Sequence, residues 1–483
     1  MSQTPTPAAL LLVGHGSHYS LDSSRPVHEL ARRARAARDF AEVRVAFWKE
    51  EPFLHHAFHL IESETVLVVP IFTSVGYFTD QVVPRELGIE GSLVEKDGRV
   101  VRYLPPIGSR PEMVDIVLDR GREALEGRGK LAPSEATLVV LGHGTDEHAE
   151  SGGATLDLAA RLARESEYAS VVPAFLDQRP TLAEVLAEVR TRGAVVVPFF
   201  VSEGWHVGTT IPRDLARATE GGAAGDRWIA YAKPVGTHPD VYAVVADLAR
   251  GAWKELGGRA PGRANEGREG RGGRAAPSVQ QAKAWFIRWV ESAHGPRSFL
   301  QTAVWADPGG RFEVRHERDV SAPAEKLRAF TDPRAALDIA KATEDGGPRP
   351  LRTSPDLKGG WRFVELDGRG LWEVYANLYP GAPVHVFLHG RGELPVVPFE
   401  VAAGRQTGIY AGVGRLQGPE LASLVERRCG SGCLRVPVWD RSAPGTEPFT
   451  TRVRSGAYVA CNQPCSLLIS EARSTLDPSG TPG

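Results

Sequence analysis

The chain contains two copies of one sequence pattern, and this repeat limits what it can fold into more than any other feature. The segment Gly14-His15-Gly16 returns as Gly142-His143-Gly144, and the difference between positions 143 and 15 sets the offset at 128 residues. The same offset carries Val69-Pro70 onto Val197-Pro198 without a gap. Two copies of a half-domain predict a two-lobed unit with a cleft between its lobes. Where one copy has a polar residue and the other copy does not, the polar residue indicates a position that has kept a binding or catalytic function.

Each copy alternates continuous apolar runs with amphipathic stretches. The runs that we expect to be strands are Ala8–Val13, Val43–Phe47 and Thr65–Ile71 in the first copy, and Thr137–Leu141, Val171–Phe175 and Ala194–Val201 in the second. Such runs, separated by helices, predict a parallel sheet that is covered on both faces. Because crossovers are right-handed, each copy should be a doubly wound half. The predicted fold class is α/β, with two tandem doubly wound halves that have parallel sheets, followed by two smaller α+β domains.

Composition changes sharply after the second copy. Residues 257–278 consist mainly of Gly, Arg, Ala and Pro, so they cannot bury a core and are predicted to be a flexible linker. Beyond the linker we expect a helix at Gln281–Ser292 and strands at Trp361–Leu366 and Leu371–Leu378. The predicted domains are 1–127 and 128–256 for the two halves, 279–382 for an α+β domain, and 383–483 for a last domain with all four cysteines.

The overall composition is that of an ordinary globular protein. The 483 residues are 42% hydrophobic and 24% charged, and the formal net charge is −2. This charge argues against strong attraction to nucleic acid or to an anionic membrane. No run approaches the roughly 20 apolar residues that span a bilayer, and no basic region precedes the first apolar run. We therefore expect a cytoplasmic protein with neither a membrane nor a nucleic-acid partner.

Three potential metal ligands follow consecutive predicted strands of the second copy, namely His143, Asp177 and His206. Because ligands bind at the carboxyl ends of parallel strands, we expect these side chains to meet at one edge of the sheet. Two imidazoles and a carboxylate suit a divalent metal of the first transition row. The alternative for each residue is a polar side chain hydrogen-bonded within its loop. The convergence of three strand ends favours metal binding.

The first copy has lost two of these residues. His15 is kept, but Lys49 and Phe78 stand at the positions equivalent to Asp177 and His206. A phenyl ring cannot bind a metal ion and a lysine repels a dication, so the first copy is not expected to hold metal in the same way. His15 is then either a proton acceptor that faces the cleft or a remnant of the duplication.

Two further groups of histidines are predicted to lie outside the site. His55 and His59 have a spacing typical of metal ligands on a helix, but alanines replace them in the second copy, at Ala183 and Ala187. We interpret them as a surface face. His238 is interpreted as a structural residue or a contact to a carboxylate.

The order of these motifs resembles that of a known enzyme family. A Gly-His-Gly turn is followed by an acid after Ala174-Phe175, then by Gly204-x-His206 and Ile211-Pro212. This pattern is similar to the sirohydrochlorin chelatases, the CbiX- and SirB-type cobaltochelatases and ferrochelatases, over about residues 8–250. The resemblance implies an enzyme, a lyase, that inserts Co²⁺ or Fe²⁺ into a tetrapyrrole during cobalamin or sirohaem biosynthesis.

The resemblance also implies roles for individual residues. His143 and His206 match the family histidines that bind metal and take up pyrrole protons. Asp177 stands where the family usually has a glutamate, so its shorter side chain changes the reach to the metal. Thr145 replaces the usual serine. An imidazole with a reference pKa near 6.5 suits both tasks at neutral pH.

The implied substrate carries many carboxylates, which suggests cationic contacts. Arg85 and Arg213 are equivalent in the two copies and are candidates for this role. The alternative for both is a solvated helix start. Trp205 is a candidate to stack on the tetrapyrrole ring, and its alternative is packing in the core.

The cysteines form two Cys-x₃-Cys pairs in the last 55 residues. They are Cys429, Cys433, Cys461 and Cys465. Four thiolates can hold a [4Fe–4S] cluster or a zinc ion, and two disulfides are the third alternative. Zinc ribbons usually have two residues between paired cysteines, so the wider spacing favours the cluster. This half also resembles multidomain bacterial chelatase-like proteins, in which a stabilising domain and a 4Fe–4S-binding domain follow a tandem chelatase module.

The sequence therefore predicts a tetrapyrrole metal chelatase with an accessory 4Fe–4S cluster. Its predicted partners are the tetrapyrrole, the divalent metal that it inserts and a redox partner of the cluster. The alternative is a non-catalytic redox- or metal-sensing protein built on a chelatase scaffold.

Overall fold

The computed structural model divides the chain into two compact units, Met1–Gly270 and Arg271–Gly483, which are described separately. The structure describes residues 6–17, 20–126, 131–144, 152–204, 206–220, 228–257, 279–343, 347–351, 357–381, 383, 397–404, 406, 410–430, 458–459, 464 and 466–477. None of the helices in these ranges is long and apolar enough to cross a membrane.

The first copy forms a five-stranded sheet with strand order β2-β1-β3-β5-β4. The strands are β1 (Thr6–Gly14), β2 (Phe40–Phe47), β3 (Thr65–Pro70), β4 (Leu93–Lys96) and β5 (Arg99–Tyr103). The pairs are parallel except for the edge pair of β4 and β5. The helices of this copy are α1 (Arg25–Ala37), α2 (Val83–Leu87) and α3 (Met113–Glu126). Ala8–Val13 is fully buried, because β1 lies at the centre of a sheet covered on both faces.

The second copy repeats this arrangement with four parallel strands in the order β7-β6-β8-β9. The strands are β6 (Ala136–Gly142), β7 (Ser170–Phe175), β8 (Gly193–Pro198) and β9 (Trp228–Tyr231). The helices are α4 (Gly153–Glu165), α5 (Leu182–Glu188), α6 (Ile211–Glu220) and α7 (Val241–Glu255). The prediction of two α/β halves with parallel sheets is confirmed.

The last helix of each copy packs on the sheet of the other copy. Helix α3 contacts β8 and β9, and α7 contacts β1 and β3. Gly121 of α3 lies against Tyr168 and Leu138 of the second copy. Arg33 of α1 donates a hydrogen bond of 3.0 Å to the carbonyl of Pro239, just before α7. One hydrophobic core therefore spans both copies, and the two halves form a single folded unit.

The second unit begins with a five-stranded sheet in the order β10-β11-β12-β14-β13. The strands are β10 (Arg297–Phe299), β11 (Thr302–Ala306), β12 (Phe312–His316), β13 (Arg328–Phe330) and β14 (Trp361–Leu366). The helices are α8 (Val279–Glu291), α9 (Ala335–Ala340) and α10 (Gly368–Leu378). All strand pairs are antiparallel except β13 with β14. This is the α+β domain that the sequence predicts.

The prediction of a strand at Leu371–Leu378 is wrong, because these residues belong to helix α10. The Asp367 side chain caps the helix by accepting a hydrogen bond of 2.7 Å from the Gly370 backbone. Leu371, Val374, Tyr375 and Leu378 are all buried, at the helical spacing of three, four and seven residues. The apolar residues of Leu371–Leu378 therefore form one buried face of a helix.

The segment that carries the cysteines has a small core of its own. It contains a two-stranded pair, β15 (Val397–Pro398) with β16 (Tyr458–Val459), and helices α11 (Phe399–Ala403), α12 (Gly418–Val425) and α13 (Ser466–Leu476). Phe399, Leu424 and Ile469 are among its buried residues.

Candidate functional site

The Gly-His-Gly turn of the second copy depends on its glycines. Strand β6 ends at Gly142, and Gly144 follows His143 with a φ of +67°. A side chain at Gly144 would lie 2.6 Å from Cβ of Gln178, so both the backbone angle and the space require glycine. The turn leaves the His143 side chain exposed at the carboxyl edge of the sheet.

The surroundings of the His143 imidazole favour one of its two tautomers. Nδ1 lies 2.9 Å from the carbonyl oxygen of Gly144 and 3.4 Å from Oδ2 of Asp177. Because both neighbours accept hydrogen bonds, they favour the tautomer with the proton on Nδ1. Nε2 then keeps its lone pair for a metal ion or a proton. In this arrangement Asp177 orients the imidazole from behind, as carboxylates commonly do for metal-binding histidines.

His206 completes a pair of imidazoles. It begins a π-helical turn, His206–Thr210, that leads into α6. Its ring centroid lies 5.1 Å from that of His143, with the two rings 76° apart. Turns of this kind are rare and occur often at functional sites. His143, Asp177 and His206, which follow three consecutive strands, thus lie together at one edge of the sheet, as the sequence predicts.

The three predicted ligands form an open, loosely arranged site. Side chains of His143 and Asp177 are 52% and 59% exposed, and His206 is also exposed. The donor atoms of the three do not all lie within 4.8 Å of one another. The assignment of Asp177 as a direct ligand therefore stays a prediction, whereas its contact with Nδ1 of His143 is observed.

Within the described residues, the donor atoms that do lie within 4.8 Å of one another belong to Asp119, His238 and Asp240. Nδ1 of His238 accepts a hydrogen bond of 3.2 Å from the Asp240 backbone. The proton of the neutral ring is therefore on Nε2, which lies 4.0 Å from a carboxylate oxygen of Glu123. Neither ring nitrogen offers a lone pair to a metal. His238 is a buried structural residue that contacts carboxylates, in line with its interpretation from the sequence.

The environment of His206 lowers its pKa below the ordinary value of 6.5. Partial loss of water around the ring contributes most to the lowered pKa, the neighbouring His143 adds to it, and Asp177 opposes both by stabilising the protonated form. His206 is therefore neutral at neutral pH, and its neutral form is lost only as the pH falls through this lowered pKa.

Asp177→Asn should lower the pKa of His206 further, because it removes a negative charge that favours the imidazolium. The acidic limb of any activity that needs neutral His206 should then move to lower pH. An NMR titration of the His206 ring measures this directly. Asp157→Asn removes an exposed charge on α4 and is the control that should leave the titration in place. If the pKa of His206 were unchanged or raised in Asp177→Asn, Asp177 would not stabilise the protonated form of His206 as proposed.

The first copy presents a different surface at the equivalent edge. Nδ1 of His15 lies 2.8 Å from the Gly16 carbonyl, as in the second copy. However, its ring contacts Trp48 and Phe78, at centroid distances of 5.3 and 5.4 Å. Loss of water around the ring lowers the pKa of His15, the Gly16 carbonyl opposes this, and Lys49 adds to it. His15 therefore lies against aromatic rings and beside a cation, where the second copy has His206 and Asp177.

The two predicted substrate-binding arginines have local partners. Arg85 contacts Glu86 at 3.0 Å and Arg213 contacts Asp214 at 3.4 Å, and both side chains are more than half exposed. These pairs are typical of solvated helix starts, so binding of substrate carboxylates by Arg85 and Arg213 stays a prediction. Trp205 lies outside the described residues.

Of the four cysteines, Cys429 is described, and it is buried in a π-helical turn, Glu426–Gly430, that follows α12. Cys433, Cys461 and Cys465 lie outside the described residues. Arg427 and Arg428 both pair with Glu471 of α13, a helix that begins directly after Cys465 in the sequence. These ion pairs connect the turn that contains Cys429 to helix α13, which follows Cys465 in the sequence. A buried thiol at this junction fits a shared metal cluster.

The chain has two α/β halves, and the last helix of each half packs on the sheet of the other. Together with the histidine pair at one sheet edge, this arrangement is that of a chelatase-like protein. Residues 9–124 and 137–252 both match the CbiX family. A probable sirohydrochlorin cobaltochelatase of Halobacterium salinarum is 33% identical over 278 residues, which cover 52% of this chain and 93% of that protein. The sirohydrochlorin cobaltochelatase of Methanopyrus kandleri is 31% identical over 140 residues, which cover 24% and 96%. The chain belongs to the CbiX family of sirohydrochlorin chelatases.

The remaining segments also match known families. Residues 289–389 match the DR2241 stabilising domain, and residues 391–474 match a 4Fe-4S iron-sulfur cluster binding domain. The crystal structure of DR2241 from Deinococcus radiodurans aligns with 99% of this chain and 100% of its own, with a TM-score of 0.72 and 28% identity. That protein is described as structurally similar to chelatases, with two additional domains. The predicted succession of chelatase halves, stabilising domain and 4Fe–4S-binding domain is confirmed.

Proposed function

We propose that this chain is a lyase of the cytoplasm that inserts Co²⁺ into sirohydrochlorin, with Fe²⁺ as the alternative metal. The observation that carries the proposal is the pair of exposed imidazoles, His143 and His206, whose ring centroids lie 5.1 Å apart at the sheet edge. Both related proteins from Halobacterium salinarum and Methanopyrus kandleri are named cobaltochelatases, which supports cobalt as the first metal to test.

The chemistry of insertion matches what two imidazoles can supply. One divalent ion enters the ring, and two pyrrole N–H protons leave it. In the proposed reaction, Nε2 of each histidine first holds the ion after it has lost water. When the ion moves to the pyrrole nitrogens, each Nε2 regains its lone pair and takes up one proton. Two histidines thus account for one metal and two protons. Because both side chains are exposed, the protons can pass on to water.

Anaerobic incubation of the chain with sirohydrochlorin and Co²⁺ or Fe²⁺ tests the proposal. The absorbance change that marks the metallated ring should appear much faster than without protein, and faster with one of the two metals. Insertion no faster than the spontaneous reaction, with either metal, would contradict the enzymatic assignment. The alternative of a metal- or redox-sensing protein would then gain support.

We further propose that Cys429, Cys433, Cys461 and Cys465 hold a [4Fe–4S] cluster. Such a cluster supplies one-electron transfer when bound. The ion pairs of Glu471 with Arg427 and Arg428 support the assignment, because they hold two cysteine-bearing segments together.

Cys429→Ser should abolish the cluster, since a serine hydroxyl is a poor substitute for a buried thiolate. After anaerobic reconstitution, the iron bound per chain should fall by about four atoms, and the broad visible absorbance of the cluster should disappear. His206→Ala is the control that should keep both signals, because it changes the chelatase half alone. A colourless wild-type protein that contains zinc would contradict the assignment.

A further inference from the structure

Lys49 holds the position in the first copy that Asp177 holds in the second. The two are 128 residues apart, since 177 minus 49 equals 128. The backbone N–H of Lys49 donates to the carbonyl of His15 at 2.8 Å, and that of Asp177 donates to the carbonyl of His143 at 2.9 Å. The same backbone contact therefore places an ammonium group beside one Gly-His-Gly turn and a carboxylate beside the other.

The lysine lies on a surface made of three rings, His15, Trp48 and Phe78, which we call the aromatic wall. Its ring centroids are 5.1 to 5.4 Å apart, so the rings touch one another. Nζ of Lys49 lies 3.8 Å from the centroid of Trp48. In the second copy, Leu176 and His206 occupy the positions of Trp48 and Phe78. Where the second copy has Asp177 and His206, the first copy therefore has a surface of mutually tilted aromatic rings with a cation on it.

The environment of this cation favours an anionic ligand. Lys49 is half-buried, and this burial lowers its pKa to about 8, with Glu86 opposing the shift. A desolvated ammonium gains more from a new carboxylate than a fully solvated one does. Tilted aromatic rings, in turn, offer a conjugated molecule favourable edge-to-face and offset contacts. A planar ring with carboxylates at its rim satisfies both features together.

The aromatic wall lies at the edge of its sheet that is equivalent to the edge carrying the histidine pair in the second copy. The wall follows the carboxyl ends of β1, β2 and β3. Ser23, which comes soon after the His15 turn, lies close to Gly204 in the loop before His206, where a side chain would be 3.5 Å from its hydroxyl. Loops at the carboxyl edges of the two sheets therefore meet at Ser23 and Gly204, and Gly204 lies two residues before His206.

We propose that the first copy is the recognition half for the tetrapyrrole: the aromatic wall receives the plane of the ring, and the Lys49 ammonium binds one of its peripheral carboxylates. This inference rests on the proposed function, because it takes the same tetrapyrrole as substrate. It assigns Lys49 to substrate affinity and specificity, and it leaves metal capture and proton uptake to the second copy.

The test is the affinity of the full-length protein for metal-free sirohydrochlorin, measured by fluorescence titration without added metal. Lys49→Gln should raise the dissociation constant about tenfold, the loss expected for one charge-assisted hydrogen bond, and Lys49→Glu should raise it further. Lys49→Arg should keep most of the affinity. In turnover, the KM for sirohydrochlorin should rise in Lys49→Gln, while kcat and the KM for Co²⁺ stay close to wild type.

Lys96→Gln is the matched control. Lys96 belongs to the same copy and also lies near an aromatic ring, 5.8 Å from the centroid of Phe58, but it stands on the edge strand β4 and donates to the Gly88 carbonyl. Its substitution should leave tetrapyrrole affinity unchanged. Equal affinity of wild type and Lys49→Gln, or no binding of sirohydrochlorin by wild type, overturns the inference. Wild-type binding that depends on Lys49 but leads to no insertion upholds the inference and refutes the proposed chelatase activity.

Discussion

His206→Ala should reduce the rate of Co²⁺ insertion by about 10²- to 10⁴-fold, the usual range for the loss of a positioned proton acceptor. His143→Ala should have an effect of the same order, because the two imidazoles form one pair. Groups that act as a unit show non-additive losses, so the double variant should be little slower than the worse single variant. Anaerobic insertion assays at saturating metal and tetrapyrrole measure all three rates.

His15→Ala is the matched control for this prediction, since His15 occupies the same turn in the first copy. It lies against Trp48 and Phe78 and beside the Lys49 ammonium, and Phe78 stands at the position of His206. We expect its loss to weaken tetrapyrrole binding and to leave the maximal rate within about tenfold of wild type. A fall in maximal rate as large as that of His206→Ala would assign proton uptake to the first copy and contradict the division of roles.

Much of the α/β fold follows from local features of the sequence. Runs such as Ala8–Val13 are apolar throughout because their strands are buried on both faces, so their type and extent are evident from composition alone. The exchange of α3 and α7 between the copies is different. A helix presents the same apolar face whether it covers its own sheet or the equivalent sheet of the other copy, so the repeat itself conceals which sheet it covers.

The error at Leu371–Leu378 has a local cause. Leu371, Val374, Tyr375 and Leu378 lie on one face of a helix, and the Asp367 cap precedes them. Both signals are present in the sequence, but the dense apolar content of this short segment resembles that of a buried strand. The spacing of apolar residues in a helix is hard to distinguish from that in a buried strand over so few residues.

The site was predictable at the level of residues and not at the level of atoms. Strand ends bring His143 and His206 together because of sheet topology, which the repeat fixes. The side of the imidazole on which Asp177 lies depends on side-chain rotamers, and no sequence pattern encodes these. The same holds for Lys49 above Trp48. The sequence alone shows that Lys49 is unsuited to bind a metal ion. Its contact with the Trp48 ring, on which the proposed role in tetrapyrrole binding depends, is visible only in the structure.

Gly236→Ala should stop most insertion activity even though Gly236 lies outside the histidine pair. A Cβ at this position would lie 2.2 Å from the carbonyl oxygen of Val201, so the loop before His206 must move. A shift of about 1 Å in a catalytic group typically costs 10²-fold in rate, and we expect a loss of that order in kcat. Forcing the loop apart should also lower the free energy of unfolding by about 1–3 kcal/mol. Chemical denaturation and insertion kinetics measure the two effects separately.

Gly108→Ala makes the same steric change in the first copy and separates stability from catalysis. Its Cβ would lie 2.0 Å from the carbonyl oxygen of Thr73, in the loop before Phe78, so the cost in unfolding free energy should be similar. However, this loop leads to the aromatic wall and not to His206. We therefore expect Gly108→Ala to raise the KM for the tetrapyrrole and to preserve kcat, whereas Gly236→Ala lowers kcat. Equal losses of kcat in two variants of matched stability would mean that both copies capture metal, in spite of Lys49 and Phe78.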